Sequence, residues 1–180
     1  MEEVEVLHSK DRREKIIALL QQSDVPQSAT AIAKVFDVSR QVVVGDIALL
    51  RAAGHDILAT PRGYVMHSHI KNQGITRTIA CNHLGEKALA LELYSIVDYG
   101  GTVVNVTVEH PLYGQISGEL HLTSRYDVEQ FLKKLREYQA APLSLLTQGI
   151  HLHTIQCRDE QTFARILSVL ESHHILLTKD

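Results

Sequence analysis

Apolar positions recur at helical spacing through the first fifty residues and then switch to alternation. Ile16, Ile17 and Leu20 form a first helical stripe, with Asp11 and Glu14 ahead of it in the spacing of a capping box. The stretch Ser23-Asp24-Val25-Pro26 breaks that helix. Ser28 is placed to cap a second, short helix with Ala31, Ile32, Val35 and Phe36 inward, and Asp37-Val38 makes a tight corner. Ser39 then caps a third helix to about Ala53, with Val42, Val43, Ile47 and Leu50 inward and Gly54 as its stop. Two short strands follow, 56–60 and 64–67. They are joined by Pro61-Arg62-Gly63, a sequence suited to a type I turn with a left-handed residue after it. Three helices and a hairpin within 8–68 make one small unit, with residues 1–10 as a polar tail.

Residues 67–75 show no period, which places a domain boundary there. Over 75–180 strand and helix patterns interleave. Strands are predicted at 75–81, 102–109, 114–122 and 149–157. Helices are predicted at 85–99 (stripe Leu89, Leu93, Ile96), 124–138 (Val128, Phe131, Leu132, Leu135 inward) and 159–172, and a last short strand at 175–177. The order β-α-β-β-α-β-α leads to helices packed on one face of an antiparallel sheet. The fold class is therefore α+β, a winged helix followed by an open-faced sandwich.

Composition narrows the function. The 180 residues are 44% hydrophobic and 22% charged, an ordinary core-forming chain. Apolar runs fall short of the roughly 18 to 20 residues that span a bilayer, and the acidic start (Glu2, Glu3, Glu5) is unlike a signal peptide. A cytoplasmic protein without a membrane partner is expected. Two cysteines, Cys81 and Cys157, exclude a disulfide scaffold and a four-cysteine zinc cluster. A net charge of −3 excludes a general polyanion binder, and the absence of Trp with 5% aromatics argues against a base-stacking surface. Eleven histidines form an unusual store of metal-binding or proton-carrying groups.

The second and third helices carry the first functional signal. Ala33 allows close helix approach, Val38 buries the corner, and Val43, Ile47 and Leu50 seat the third helix. Ser39, Arg40, Gln41, Val44, Gly45 and Ala48 are left pointing outward at its N-terminal half, where a recognition helix meets base edges. Arg pairs bidentately with guanine and Gln with adenine. Arg62 at the hairpin tip is placed for phosphate or the minor groove. Residues 8–66 hold eight Lys or Arg against six Asp or Glu, a mild basic bias that suits double-stranded operator DNA gripped by a homodimer. A helical bundle used only for protein contacts is the competing reading. Val38-Ser39-Arg40, Val43, Asp46-Ile47 and Leu50-Arg51 resemble the winged-helix domain of bacterial repressors related to the N-terminal module of biotin repressors. Gly45 departs from that pattern, which carries a long polar side chain there, and a mid-helix Gly costs about 1 kcal/mol relative to Ala.

The second signal lies in the histidines. His151 and His153 alternate on a strand, so both project from one face with Cα atoms about 6.5 to 7 Å apart, a spacing from which two imidazoles can converge on one transition-metal ion. Cys157 shares the face but lies roughly 13 Å away. His83 sits where the first strand hands over to its helix. That helix offers Glu86 and Glu92 on the two edges of the buried stripe.

His83, Val108-Glu109-His110-Pro111-Leu112-Tyr113-Gly114 and Gly149-Ile150-His151-Leu152-His153-Thr154 resemble the three motifs of the three-histidine regulatory domain. A winged helix followed by that domain is the architecture of the niacin-responsive transcriptional repressors, and the resemblance covers about residues 10–178. It implies a regulatory fold similar to the histidine-containing phosphocarrier. It also implies one divalent transition-metal ion, Zn, Ni or similar, on His83, His151, His153 and a helix glutamate. Glu92 fits the family's distance from Gly100-Gly101 better than Glu86 does. Nicotinic acid is the implied co-repressor, with His110 and Tyr113 as candidates for its pocket, and the genes implied are those of niacin uptake and NAD synthesis. Two other readings compete: a metal-dependent hydrolase or ligase fused to a helix-turn-helix module, and a phosphoryl-accepting protein using His83.

Overall fold

In the computed structural model, which describes residues 9–69 and 74–177, the chain divides into two compact units, Met1–Lys71 and Asn72–Asp180. The first opens with α1 (Ser9–Gln21), α2 (Ala29–Val35) and α3 (Arg40–Ala52). Ser28 and Ser39 cap α2 and α3, their hydroxyl oxygens accepting the backbone N–H of Ala31 and Val42. Ile16, Leu20, Ile32, Val43, Ile47 and Leu50 close the core between the helices. The tail expected over 1–10 falls largely outside the described residues, and Ser9 and Lys10 already belong to α1. Asp11 consequently sits inside the first turn and not at a cap.

The inward sets of α2 and α3 need correction. Ala33 is buried and Ala31 and Val35 are exposed, because Ile32 and Ala33 face α3 and the helix is only two turns long. On α3, Val42 is exposed and Asp46 is buried in its place. Asp46 accepts from Arg12 Nε at 2.6 Å and Nη2 at 3.3 Å, with Arg13 Nη1 at 3.5 Å, which ties α1 to the recognition helix. A buried charge is tolerated because it is paired.

The strands β1 (Ile57–Thr60) and β2 (Gly63–Met66) form the hairpin, with Pro61 and Arg62 at its tip. Backbone hydrogen bonds in both directions between Gln27 and Tyr64, each 2.8 Å, anchor the hairpin to the loop ahead of α2. Gly63 passes so close to that loop, at φ +139°, that a Cβ there would lie 2.3 Å from the Gln27 carbonyl oxygen.

The second unit contains β3 (Ile75–Asn82), α4 (Glu86–Asp98), β4 (Thr102–His110), β5 (Gly114–Leu122), α5 (Arg125–Glu137), β6 (Ile150–Cys157) and α6 (Glu160–Ser172). The strands pair antiparallel in the order β3-β6-β4-β5, so β6 runs through the middle of the sheet. Its side chains alternate between buried and half-buried positions, as one helix-covered face requires. Leu93, Ile96, Leu122, Ile155, Ile166 and Leu170 are among the fully buried core between that face and the three helices. Residues 175–177 form a single bridge, Cys81 with Leu176, where a strand was expected. A short 3₁₀ helix at Leu143–Thr147, which has no signature in the sequence pattern, leads into β6.

Gly63→Ala is expected to destabilise the first unit by about 1 to 3 kcal/mol, since both the left-handed backbone and the Gln27 contact oppose a side chain. Urea unfolding measures this, and an unchanged midpoint would contradict the anchoring.

A buried imidazole and carboxylate cluster as candidate metal centre

The pairing of β3 with β6 builds the site. It sets Cys81 opposite His151 and Ile79 opposite His153, all facing the helices. His83 follows β3 at the start of the turn into α4, and its backbone N–H donates to the Gly149 carbonyl at 3.4 Å. Glu92 shares the helix face of Leu89, Leu93 and Ile96, because positions 89, 92, 93 and 96 follow the i, i+3, i+4, i+7 spacing. It is therefore fully buried and not at the edge of the stripe. Glu86 points to solvent and pairs with Arg136 on α5.

Three imidazoles converge on the Glu92 carboxylate. Glu92 Oε2 lies 2.7 Å from His83 Nε2, 3.3 Å from His151 Nε2 and 3.4 Å from His153 Nε2. The rings of His83 and His151, and of His151 and His153, meet edge to face with centroids 4.9 Å apart. The outer nitrogens of two rings are fixed by the backbone. His151 Nδ1–H donates to Gly149 O at 2.8 Å, and His153 Nδ1–H donates to Asn105 O at 2.6 Å. A carbonyl only accepts, so each Nδ1 carries a proton and each Nε2 is turned inward, toward Glu92.

Local backbone irregularities make those anchors. The register of β4 against β6 slips between Val103 and Asn105, so β4 holds one extra residue there. The bulge turns the Asn105 carbonyl to His153, while its side-chain oxygen accepts Thr154 N–H. Gly149, at φ +103°, lies where a Cβ would be 2.7 Å from the His83 carbonyl oxygen and 2.9 Å from Asn82 Oδ1. Only a glycine lets the Gly149 carbonyl reach both His83 and His151.

Burial by itself would push the Glu92 carboxyl up, but the positive charge of His153 and the surrounding ring nitrogens outweigh it and hold it well below the usual range. Burial likewise opposes charge on His153, yet the Glu92 carboxylate raises it above its ordinary value. Burial, followed by the Glu92 charge, pushes the Cys81 thiol up.

The donor set suits a transition metal. Neutral imidazole Nε2 atoms oriented by second-sphere carbonyls, together with an ionised carboxylate, are the usual equipment of such a site. Two buried ring nitrogens, His83 Nδ1 and His153 Nε2, have no hydrogen-bond partner, and the second of them points into the cluster. Two members of the site carry no motif in the sequence. Asn105 acts through a bulge, which no local pattern announces. Cys81 offers only strand alternation, which sets it on the buried face with Ile79.

An apolar cavity of about 240 Å³ opens beside the cluster, lined by His151, His153, Leu93, Phe131, Leu143 and Ser144 among others. His110 and Tyr113 do not line it. They sit at the turn between β4 and β5, where Nδ1 of His110 accepts from the backbone N–H of Leu112 and Tyr113 and the two rings stack at 5.0 Å. His83 is nearly buried against Glu92, so it does not present the exposed imidazole that a phosphoryl acceptor requires.

In the first unit, Ser39, Arg40, Gln41, Gly45 and Ala48 are exposed on α3, Val44 is half-buried, and Arg62 is exposed at the hairpin tip.

Residues 12–65 match an HTH domain and residues 76–179 match the 3H domain. The chain is 39% identical over 168 residues to "Probable transcription repressor NiaR" of Thermotoga maritima, covering 93% of this chain and 94% of that one. It is also 39% identical over 173 residues to "Transcription repressor NadR" of Bacillus subtilis, covering 95% and 96%.

The coupled charges of the cluster make metal-free stability pH-dependent. His153 is raised above its ordinary 6.5, so the pair's contribution is complete below about pH 6.5 and is lost as pH climbs through the raised value. Glu92 is depressed below 4.5, so its contribution holds above that value and is lost as pH falls through the depressed one. Urea midpoints of chelated protein are expected to fall on the alkaline side in the wild type and to flatten in Glu92→Gln. Parallel profiles would contradict the pairing.

Proposed function

Because the chain belongs to the family of niacin-responsive transcription repressors, built from a helix-turn-helix domain and a 3H domain, we propose that it represses genes of niacin uptake and NAD synthesis when nicotinic acid occupies its second unit. The chain is a DNA-binding transcription repressor and a regulator, which sets aside the hydrolase or ligase reading.

The observation that carries the sensing half is the convergence of three imidazole Nε2 atoms on one fully buried carboxylate, with two of the rings locked by backbone carbonyls. His83, Glu92, His151 and His153 would hold one divalent transition-metal ion. Nitrogen-rich ligation suits Zn, Ni or Co. Bound there, the ion supplies a positive charge able to receive an anionic group. The neighbouring cavity is walled mostly by apolar side chains, and none of the residues lining it is Lys or Arg. Its apolar wall accommodates an aromatic ring, and a ring's carboxylate finds its countercharge only at the imidazole cluster. Such a site favours the acid over the amide. It also moves the effector-binding role from His110 and Tyr113 to the cavity residues.

The reading half rests on α3. Its N-terminal half presents Ser39, Arg40, Gln41 and Val44 to base edges in the major groove, and Arg62 reaches the backbone beside it. Arg12 and Arg13 are engaged by Asp46, so they orient α3 more than they add to the charge available for phosphate. A modest basic bias requires two copies, whose recognition helices address successive major grooves about 34 to 36 Å apart. Nicotinic acid favours that arrangement only by binding it more tightly than the alternatives.

A mobility-shift titration on a niacin-gene promoter, with and without nicotinic acid and again after chelation, tests both halves. Arg40→Ala is expected to weaken DNA binding by about 1 to 3 kcal/mol while leaving the response to nicotinic acid intact. His151→Ala is expected to abolish that response while retaining basal binding. Equal loss of both properties in each variant would contradict the division.

A further inference from the structure

We propose that Cys81 is a ligand of the metal, its sulfur joining Glu92 and His151 on the ion at the imidazole cluster. The proposal rests on the metal-binding reading above and adds sulfur to a donor set otherwise made of nitrogen and oxygen.

Three observations support it. Cys81 Sγ, a Glu92 carboxylate oxygen and a ring nitrogen of His151 all lie within 4.8 Å of one another, and all three residues are buried. The register places Cys81 directly opposite His151 on neighbouring strands, so this approach is fixed by the sheet. Independently, His153 Nε2 is buried without a hydrogen-bond partner while its Nδ1 is held by Asn105, which leaves a donor aimed into the same space.

Distances decide between a ligand and a core side chain. Metal–sulfur and metal–nitrogen bonds of about 2.3 and 2.1 Å keep two ligands of one ion within about 4.4 Å of each other. At tetrahedral angles that separation is about 3.6 Å, so from within 4.8 Å the thiol and imidazole need to close by up to about 1.2 Å. Cys157 shows the alternative. It is paired with Ile75 at the other end of β6, and its thiol donates to the Asp159 carbonyl, far from any imidazole. A coordinated cysteine is a thiolate, its proton displaced to water as the ion enters. Sulfur in the shell shifts preference toward softer ions such as zinc and away from magnesium or manganese.

Cobalt(II) makes the ligand visible, since zinc has no d–d spectrum. The full-length chain, stripped by chelation and titrated with cobalt without thiol reductants, is expected to show visible d–d bands together with a near-ultraviolet thiolate-to-cobalt charge-transfer band. The chain has two cysteines, so a band that survives in Cys157→Ser belongs to Cys81 even if no Cys81 variant folds. Cys81→Ser is expected to keep the d–d bands, lose the charge-transfer band and bind cobalt about tenfold or more weakly. Visible bands without charge transfer in the wild type would overturn the sulfur ligand and leave the metal site standing. A charge-transfer band lost in Cys157→Ser but kept in Cys81→Ser would overturn it equally. No cobalt spectrum at all would overturn both.

Discussion

A carboxylate with no access to water must be answered by positive charge or by hydrogen bonds, and the second unit of this protein is arranged around that demand at Glu92. The helix places it on the core side because its position fits the apolar stripe. Three imidazoles reply, two from β6 and one from the turn that follows its neighbour β3, some seventy residues apart in sequence. Two of those rings are prevented from turning away by the Gly149 and Asn105 carbonyls. The site is thus held by the second sphere as much as by its own members.

The cavity shares two of those imidazoles with the cluster. His151 and His153 lie at the boundary between the charged cluster and an apolar chamber roofed by the 3₁₀ segment 143–147. A flat ring bearing one negative group matches such a boundary, where one end is apolar and the other carries charge. The same reasoning assigns His110 and Tyr113 to the turn between β4 and β5, where the His110 ring accepts the turn's own N–H groups and stabilises the hairpin.

Much of this was legible in the chain, for reasons that differ by element. Helices α3, α5 and α6 declared themselves by apolar spacing and by Ser or Asp caps, α4 by its apolar stripe alone, and the alternation of His151 and His153 located their strand. The resemblance in sequence supplied His83 and preferred Glu92. The face of Glu92 was readable from i, i+3, i+4, i+7 spacing, but a carboxylate in a core position contradicts ordinary burial preferences and invites an edge assignment. Asp46 on α3 was obscured for the same reason, since its partners Arg12 and Arg13 lie on another helix. The β4 bulge and the left-handed Gly149 were not legible, because each depends on which strands become neighbours. Cys81 was hidden by counting cysteines for disulfides and four-sulfur sites, where a mixed donor set needs only one.

On the proposed function, the imidazole and carboxylate cluster, once loaded with metal, receives the effector's charge. Isothermal calorimetry of nicotinic acid into metal-loaded and into chelated protein tests it without DNA. The account predicts one site per chain in the loaded protein and no measurable heat of binding after chelation, with nicotinamide inert in both. Equal affinity for nicotinic acid with and without the metal would contradict it.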